Sequence, residues 1–224
     1  MLNNLRGGLI VSCQAAPGSP MDRPDILAAF AQCAINAGAV AIRGNHGINI
    51  AAIRAITDLP IIGLKKRDIA NSEVYITPEW QDVLEVVEAG TNIIAIDATL
   101  RPRPIGFAEM VQRIRTEFPN LLVMADCATH ADGIAAFEAG ADIVSTTMAG
   151  YTTETMSTKT EGPDLQLIHD LRLVLPDAFL VCEGRVHSPE FAKQALAAGA
   201  DSVVVGTAIT APEWITSQFV KAIQ

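Results

Sequence analysis

A closed eight-stranded parallel barrel, the (β/α)8 TIM-barrel class, is the fold that this sequence of 224 residues predicts. Three observations predict it. First, a short phrase recurs four times: Ala37-Gly38-Ala39, Ala89-Gly90-Thr91, Ala139-Gly140-Ala141 and Ala198-Gly199-Ala200, each followed by an apolar run. Each phrase reads as a helix end, a glycine cap and then a buried strand. The spacing suits one βαβα unit, and four such units supply eight strands. Second, the composition is 50% hydrophobic but only 5% aromatic. Such a chain, rich in Ala, Val, Ile and Leu, suits parallel strands buried on both faces. Third, the length lies near the lower end for such a barrel, so a single domain over residues 1–224 with few insertions is expected.

The elements follow in order. The first strand is Leu9-Ile10-Val11-Ser12-Cys13, ending at Gln14, and a helix is expected from Pro24 to Ala37. The second strand runs through Val40-Ala41-Ile42 to Arg43, with a short helix over Asn49 to Ile56. The third, Pro60-Ile61-Ile62-Gly63-Leu64, ends at Lys65-Lys66-Arg67, and Asp68 to Ile76 reads as a polar loop. The next helix is expected to open at Thr77-Pro78-Glu79, with threonine as cap and proline in the first turn. The fourth strand, Ile93 to Ile96, ends at Asp97, and a stiff basic loop from Thr99 to Pro104 precedes a helix over Phe107–Phe118. The fifth, Leu121 to Ala125, ends at Asp126, before a helix over Ala131–Ala139. The sixth, Ile143 to Ser145, ends at Thr146-Thr147 and leads into the longest irregular segment, Met148 to Gly162, which reads as a flexible lid. A helix from about Pro163 to Leu175 follows. The seventh strand, Phe179 to Cys182, ends at Glu183-Gly184-Arg185, before a helix over Pro189–Ala198. The eighth, Val203 to Val205, ends at Gly206-Thr207, and the last helix covers Pro212–Ile223.

Function in this fold sits at the C-terminal ends of the strands. Those ends are almost all polar, after strands that are almost purely apolar. One amine, one guanidinium and three carboxylates (Asp97, Asp126 and Glu183) gathered there make a proton-transfer site for an anionic or polyhydroxylated ligand. A lysine on an apolar strand end loses hydration, which favours the neutral amine and makes it a base or a Schiff-base nucleophile. Lys65 and Lys66 must point to opposite sides of their strand; the pattern does not choose between them. The loops after the seventh and eighth strands, with Gly184 and Gly206, sit where this fold commonly holds phosphate on backbone N–H groups.

The totals exclude other classes. The formal net charge is −9, from 16 Lys and Arg against 25 Asp and Glu, which argues against a nucleic-acid surface. No apolar run reaches transmembrane length and the first residues lack a signal-peptide pattern, so a cytoplasmic setting is expected. Cys13, Cys33, Cys127 and Cys182 show no ligand or disulfide spacing. His46, His130, His169 and His187 lack metal-ligand spacing, so no metal and no cofactor is expected.

These motifs, taken in order, resemble the N-acylglucosamine-6-phosphate 2-epimerases, also called N-acetylmannosamine-6-phosphate 2-epimerases. The resemblance runs from Gly8 to Thr210. It is carried by Leu9-Ile10-Val11-Ser12-Cys13-Gln14, Gly38 to Arg43, Ile62-Gly63-Leu64-Lys65-Lys66-Arg67-Asp68, Ile94 to Thr99, Arg101-Pro102-Arg103-Pro104, Thr146 to Thr152, Glu183-Gly184-Arg185 and Gly206-Thr207-Ala208-Ile209-Thr210. It implies a cofactor-independent isomerase that epimerises C2 of N-acetylmannosamine 6-phosphate, giving N-acetylglucosamine 6-phosphate in sialic acid and amino sugar breakdown. It places the catalytic lysine on Lys66 and the catalytic glutamate on Glu183. Gln14, Arg43 and Asp126 fall on sugar-contacting positions, Asp126 either binding a hydroxyl or orienting Lys66. Gly184, Arg185, Gly206 and Thr207 fall on the phosphate loops. The chain departs from the family's pattern at Gly44-Asn45-His46-Gly47, where an Ile-Glu-Gly run is usual, and at Ala211, where arginine is common. A Schiff-base phosphosugar aldolase using Lys66 and a non-catalytic phosphosugar-binding barrel are the alternatives. The expected partner is a phosphorylated N-acyl amino sugar. Trp214, Ile215 and Phe219 on the last helix read as packing on the barrel or on a second copy, and a homodimer is the reading taken.

Overall fold

The computed structural model describes residues 1–224. Eight parallel strands close in sequence order: β1 Leu9–Cys13, β2 Ala41–Asn45, β3 Ile61–Leu64, β4 Ile93–Asp97, β5 Leu122–Asp126, β6 Ile143–Ser145, β7 Phe179–Glu183 and β8 Ser202–Val205. β8 returns to pair with β1, with Leu9 opposite Val203 and Val11 opposite Val205. The expected barrel is therefore present. Around it lie α1 Pro24–Asn36, α2 Gly47–Arg54, α3 Trp80–Glu88, α4 Phe107–Glu117, α5 His130–Glu138, α6 Leu165–Val174, α7 Pro189–Ala197, α8 Thr207–Thr210 and α9 Pro212–Ile223. No helix is long and apolar enough to cross a membrane.

Side-chain alternation sorts the core into two shells. Ile10, Ala41, Ile62, Ile93, Met124 and Phe179 belong to the cluster that fills the barrel. Their neighbours, such as Val11, Ile42, Ile61 and Ile94, pack outward against the helices. Gly38, Gly90, Gly140 and Gly199 all have positive φ, between 93° and 113°, as caps that turn each helix into the next strand.

Three local expectations need correction. The first concerns α3, which begins at Trp80, not at Thr77. Thr77 is buried with φ 48°, and its hydroxyl donates to the Ala95 carbonyl at 2.7 Å and accepts from the Lys65 amide at 3.2 Å. Committed to tying β3 to β4, it cannot cap a helix. Asp82 holds the helix start instead, accepting from the Glu79 amide at 3.0 Å. The second concerns residues 68–76, which are not simply a polar loop. They fold back so that Ile76 bridges antiparallel to Lys66, with Val74 and Ile76 buried. The third concerns β2, which runs two residues beyond Arg43, and α2, which begins at Gly47 directly after His46 at φ 68°.

The structure also adds an element at the N-terminus, where a 3-10 turn over Leu2–Leu5 lies beneath the barrel. Leu5 is fully buried in the interior cluster and plugs the end opposite the strand C-termini. A turn of four residues carries no periodicity, so nothing in the pattern announces it.

Candidate active site

Inward alternation, carried to the end of each strand, selects the site. From Ile10 it reaches Ser12 and Gln14; from Ala41, Arg43 and Asn45; from Ile62, Leu64 and Lys66. From Met124 it reaches Asp126, from Ile143, Thr147, and from Phe179, Glu183. These residues gather at one end of the barrel, around a cavity of about 600 Å3. Gln14, Asn45, Lys66, Thr147, Glu183, Gly184, Arg185, Gly206 and Thr207 line it.

The structure separates the two lysines. Lys66 lines the cavity, its amide held by the Asn45 side chain at 2.9 Å. Burial lowers its pKa below the usual lysine value, and the Arg43 charge adds to this; Glu183 and Asp126 oppose it. Lys65 faces outward and pairs with Glu85 of α3.

Beneath the cavity lies an ionic cluster. Arg43 is fully buried. It donates through Nη1 at 3.1 Å and Nη2 at 2.5 Å to the two oxygens of Asp126, and through Nη1 at 2.5 Å to Glu183 Oε2. Thr147 Oγ1 lies 2.6 Å from Asp126 and 3.2 Å from Glu183, so one hydroxyl joins both carboxylates. Arg43 and Lys66 thus share one desolvated cluster with two carboxylates. Burial raises the pKa of Glu183 above the ordinary carboxylate value; Arg43 opposes this and Asp126 adds to it. Arg43 and Asp126 lie directly below the residues that line the cavity. Asp126 and the fully buried guanidinium grip each other below the floor, leaving Glu183 as the carboxylate at the surface.

Asp97 also faces inward but stands apart. Thr99 donates to it at 2.6 Å through its hydroxyl, and Arg101 at 2.8 Å. Its place in the ring of acids is therefore structural. Gln14 donates to Ser12 Oγ at 2.8 Å, while its Oε1 is buried without a partner.

The two glycine loops close one side. Gly184 has φ 102° and Arg185 φ 56°. The amides of residues 184–187 and 206–208 donate to no protein acceptor. Gly206 precedes α8 and lies against Ser12, where a Cβ would come within 3.3 Å of the Ser12 Cβ. The Arg185 guanidinium turns away from these amides. It donates to the carbonyls of Ala149 at 2.6 Å and Gly162 at 2.9 Å, gripping both ends of the segment expected to be a lid. That segment contributes Tyr151 to the cavity wall.

Ser12, Asn45, His46, Tyr75, His187 and Trp214 also line the cavity and were not read as site residues. Alternation from β1 and β2 points to Ser12 and Asn45. The other four arrive through loops and α9, for which no local pattern exists. Cys127 and Cys182 are buried and pack in apolar clusters between the barrel and its helices.

The profile of the NanE family, described as "Putative N-acetylmannosamine-6-phosphate epimerase", matches residues 27–224. A protein of Caldanaerobacter subterraneus subsp. tengcongensis, described in the same terms as a 2-epimerase, is 45% identical over all of this chain and 94% of its own length. The bifunctional enzyme NanE/NanK of Brucella melitensis biotype 1 is 46% identical; all of this chain aligns, covering 42% of that longer protein. Among solved structures, the N-acetylmannosamine-6-phosphate 2-epimerase from Clostridium perfringens superposes with a TM-score of 0.94 at 39% identity, covering 99% of this chain and 96% of that one. The thiamine phosphate pyrophosphorylase from Pyrococcus furiosus, at 15% identity and a TM-score of 0.61, shares the fold alone. With the barrel, the lysine–glutamate cavity and these matches together, the chain belongs to the N-acetylmannosamine-6-phosphate epimerase family.

Proposed function

We propose that this protein is an N-acetylmannosamine-6-phosphate 2-epimerase that inverts C2 to give N-acetylglucosamine 6-phosphate. The observation that carries the reading is Lys66: an amine whose pKa burial lowers, on the wall of a cavity it shares with Glu183. In the open-chain aldehyde the C2–H bond is acidified by the neighbouring carbonyl. Lys66 as neutral amine removes that proton, an enolate forms, and a proton returns to the opposite face. Glu183, with its raised pKa, is suited to hold a proton near C1 and C2. Arg43 and Asp126 act from below, fixing Glu183 and supplying a preorganised field. Gln14 Oε1, buried and unpartnered, accepts a hydrogen bond from the substrate.

The free amides after β7 and β8 support phosphate as the anchor, at the place where this fold commonly binds it. Unphosphorylated N-acetylmannosamine should therefore react far more poorly. The reading includes a cytoplasmic protein without a cofactor. It also includes a homodimer through α9, where Phe219, Val220 and Ile223 are exposed; sedimentation tests that part.

The test is proton NMR of N-acetylmannosamine 6-phosphate with the enzyme in D2O. Deuterium should enter C2 as the second epimer appears. Epimer formation with complete retention of the C2 proton, or no turnover at all, would overturn the reading. Borohydride trapping should leave Lys66 unmodified; a covalent adduct would favour the aldolase.

A further inference from the structure

One titratable side chain at the phosphate end of the cavity has no assigned task. His187 lies four residues beyond the end of β7, lining the same cavity as Gly184, Gly206 and Thr207. Its ring packs on Trp214 of α9, centroids 4.6 Å apart and planes tilted by 43°, which holds the imidazole in place. Neither ring nitrogen has a hydrogen-bond partner within the protein. The amides of residues 184–187 and 206–208 are likewise uncommitted. Uncommitted donors around one wall of a cavity describe a place built for acceptors.

The other cations do not serve that wall. Arg185 is held by the carbonyls of Ala149 and Gly162. Lys66 belongs to the cluster with Glu183 and Asp126. Ala211 lines the cavity without a charge. Amides alone would face a dianion with no formal counter-charge, and a hydrogen bond from a charged donor is roughly twice as strong as one from a neutral donor. The charged neighbours of the imidazole are few. Arg185 acts on it directly, Glu213 of α9 lines the same cavity, and Glu190 stands in the first turn of α7.

We infer that His187 is the side chain that contacts the substrate's phosphate, donating an N–H as imidazolium and so coupling binding to the uptake of one proton from solvent. The inference rests on the epimerase reading for the identity of the substrate, but not for the phosphate. Burial and Arg185 both lower the pKa of His187 in the empty cavity, so the ring is predominantly neutral at neutral pH. A bound dianion reverses the balance and favours the imidazolium. Phosphate affinity carried by this residue is therefore largest at low pH and declines as pH rises through the pKa of the ring in the complex.

The experiment uses inorganic phosphate as probe, both as a competitive inhibitor of turnover and by calorimetry on the enzyme alone, with His187→Leu and His187→Gln. In His187→Leu, the Ki of inorganic phosphate and the KM for the phosphorylated sugar should each rise about 10- to 100-fold, the weight of a hydrogen bond to a charged group. kcat should fall far less. His187→Gln keeps a neutral donor of similar size and should fall between, with the gap from wild type narrowing as pH rises. Should His187→Leu fail to fold, the pH-dependent gap in His187→Gln carries the test. A Ki for phosphate within twofold of wild type in either folded variant, or phosphate affinities of wild type and His187→Gln that follow the same pH curve, overturns the inference. If the wild type does not epimerise but binds phosphate in a His187-dependent way, the epimerase reading falls and this one stands.

Discussion

Replacing Lys66 by methionine tests the proposed base most directly. Methionine keeps the unbranched stem and removes the amine. Lys66 lines the cavity, and its backbone is held by Asn45 and the bridge to Ile76, so the strand end should stay in place. The charge left behind is the two carboxylates of Asp126 and Glu183 with Arg43 alone, and Glu183 can take up a proton, since its pKa is already raised. Loss of a general base costs about 10²–10⁴-fold in rate, or about 3–5 kcal/mol at 1.36 kcal/mol per tenfold. Lys65→Met is the control. Lys65 faces α3 and pairs with Glu85 in a partly exposed site, so its loss costs about 0–1 kcal/mol of stability and little activity. The assay follows two signals in D2O: deuterium entry at C2 and appearance of the second epimer. Both should vanish together in Lys66→Met. In the wild type, kcat/KM should rise with pH as Lys66 loses its proton, at a pH below the ordinary lysine pKa of about 10.4, because burial lowers it. Near-normal C2 exchange in Lys66→Met with an inactive Lys65→Met would refute both the base and the direction assigned to the two side chains.

Three further outcomes are expected. Arg43→Met leaves Asp126 buried without its cation and should destabilise by about 3–5 kcal/mol, lowering Tm by roughly 6–20 °C in calorimetry; a shift under 2 °C would show that the cluster is not held by this pair. Leu5→Ala, at the plugged end and far from the cavity, should cost about 2–5 kcal/mol in chemical denaturation with kcat unchanged; unaltered stability would mean that Leu5 does not fill the barrel floor. Prolonged EDTA treatment and dialysis should leave turnover intact, since no three His, Cys, Asp or Glu side chains converge as a metal site requires; loss of activity restored by a divalent cation would contradict this.

The barrel and half of its site are legible in the chain because both follow from short-range regularities. Four glycine caps set the repeat, and the polar residue that follows each apolar run, such as Gln14, Arg43, Asp126 or Glu183, marks the C-terminal end of its strand. Side-chain alternation leaves Lys65 and Lys66 undecided when the strand's own phase is open, because each face of a doubly buried strand is equally apolar. Only closure of the sheet resolves that, by directing Ile62 and Leu64 into the barrel and Ile61 toward the helices. Tertiary structure alone also decides depth. Asp126 and Glu183 are both acids at strand ends and both pair with Arg43, yet the Asp126 side chain is fully buried while that of Glu183 is 14% exposed and lines the cavity. It decides, too, what loops bring together: Thr77 as a tie rather than a cap, Arg185 as a brace between Ala149 and Gly162, and His187 packed at a tilt on Trp214. These contacts join residues with no periodic relation in sequence, and their energies depend on distances that only the closed barrel defines.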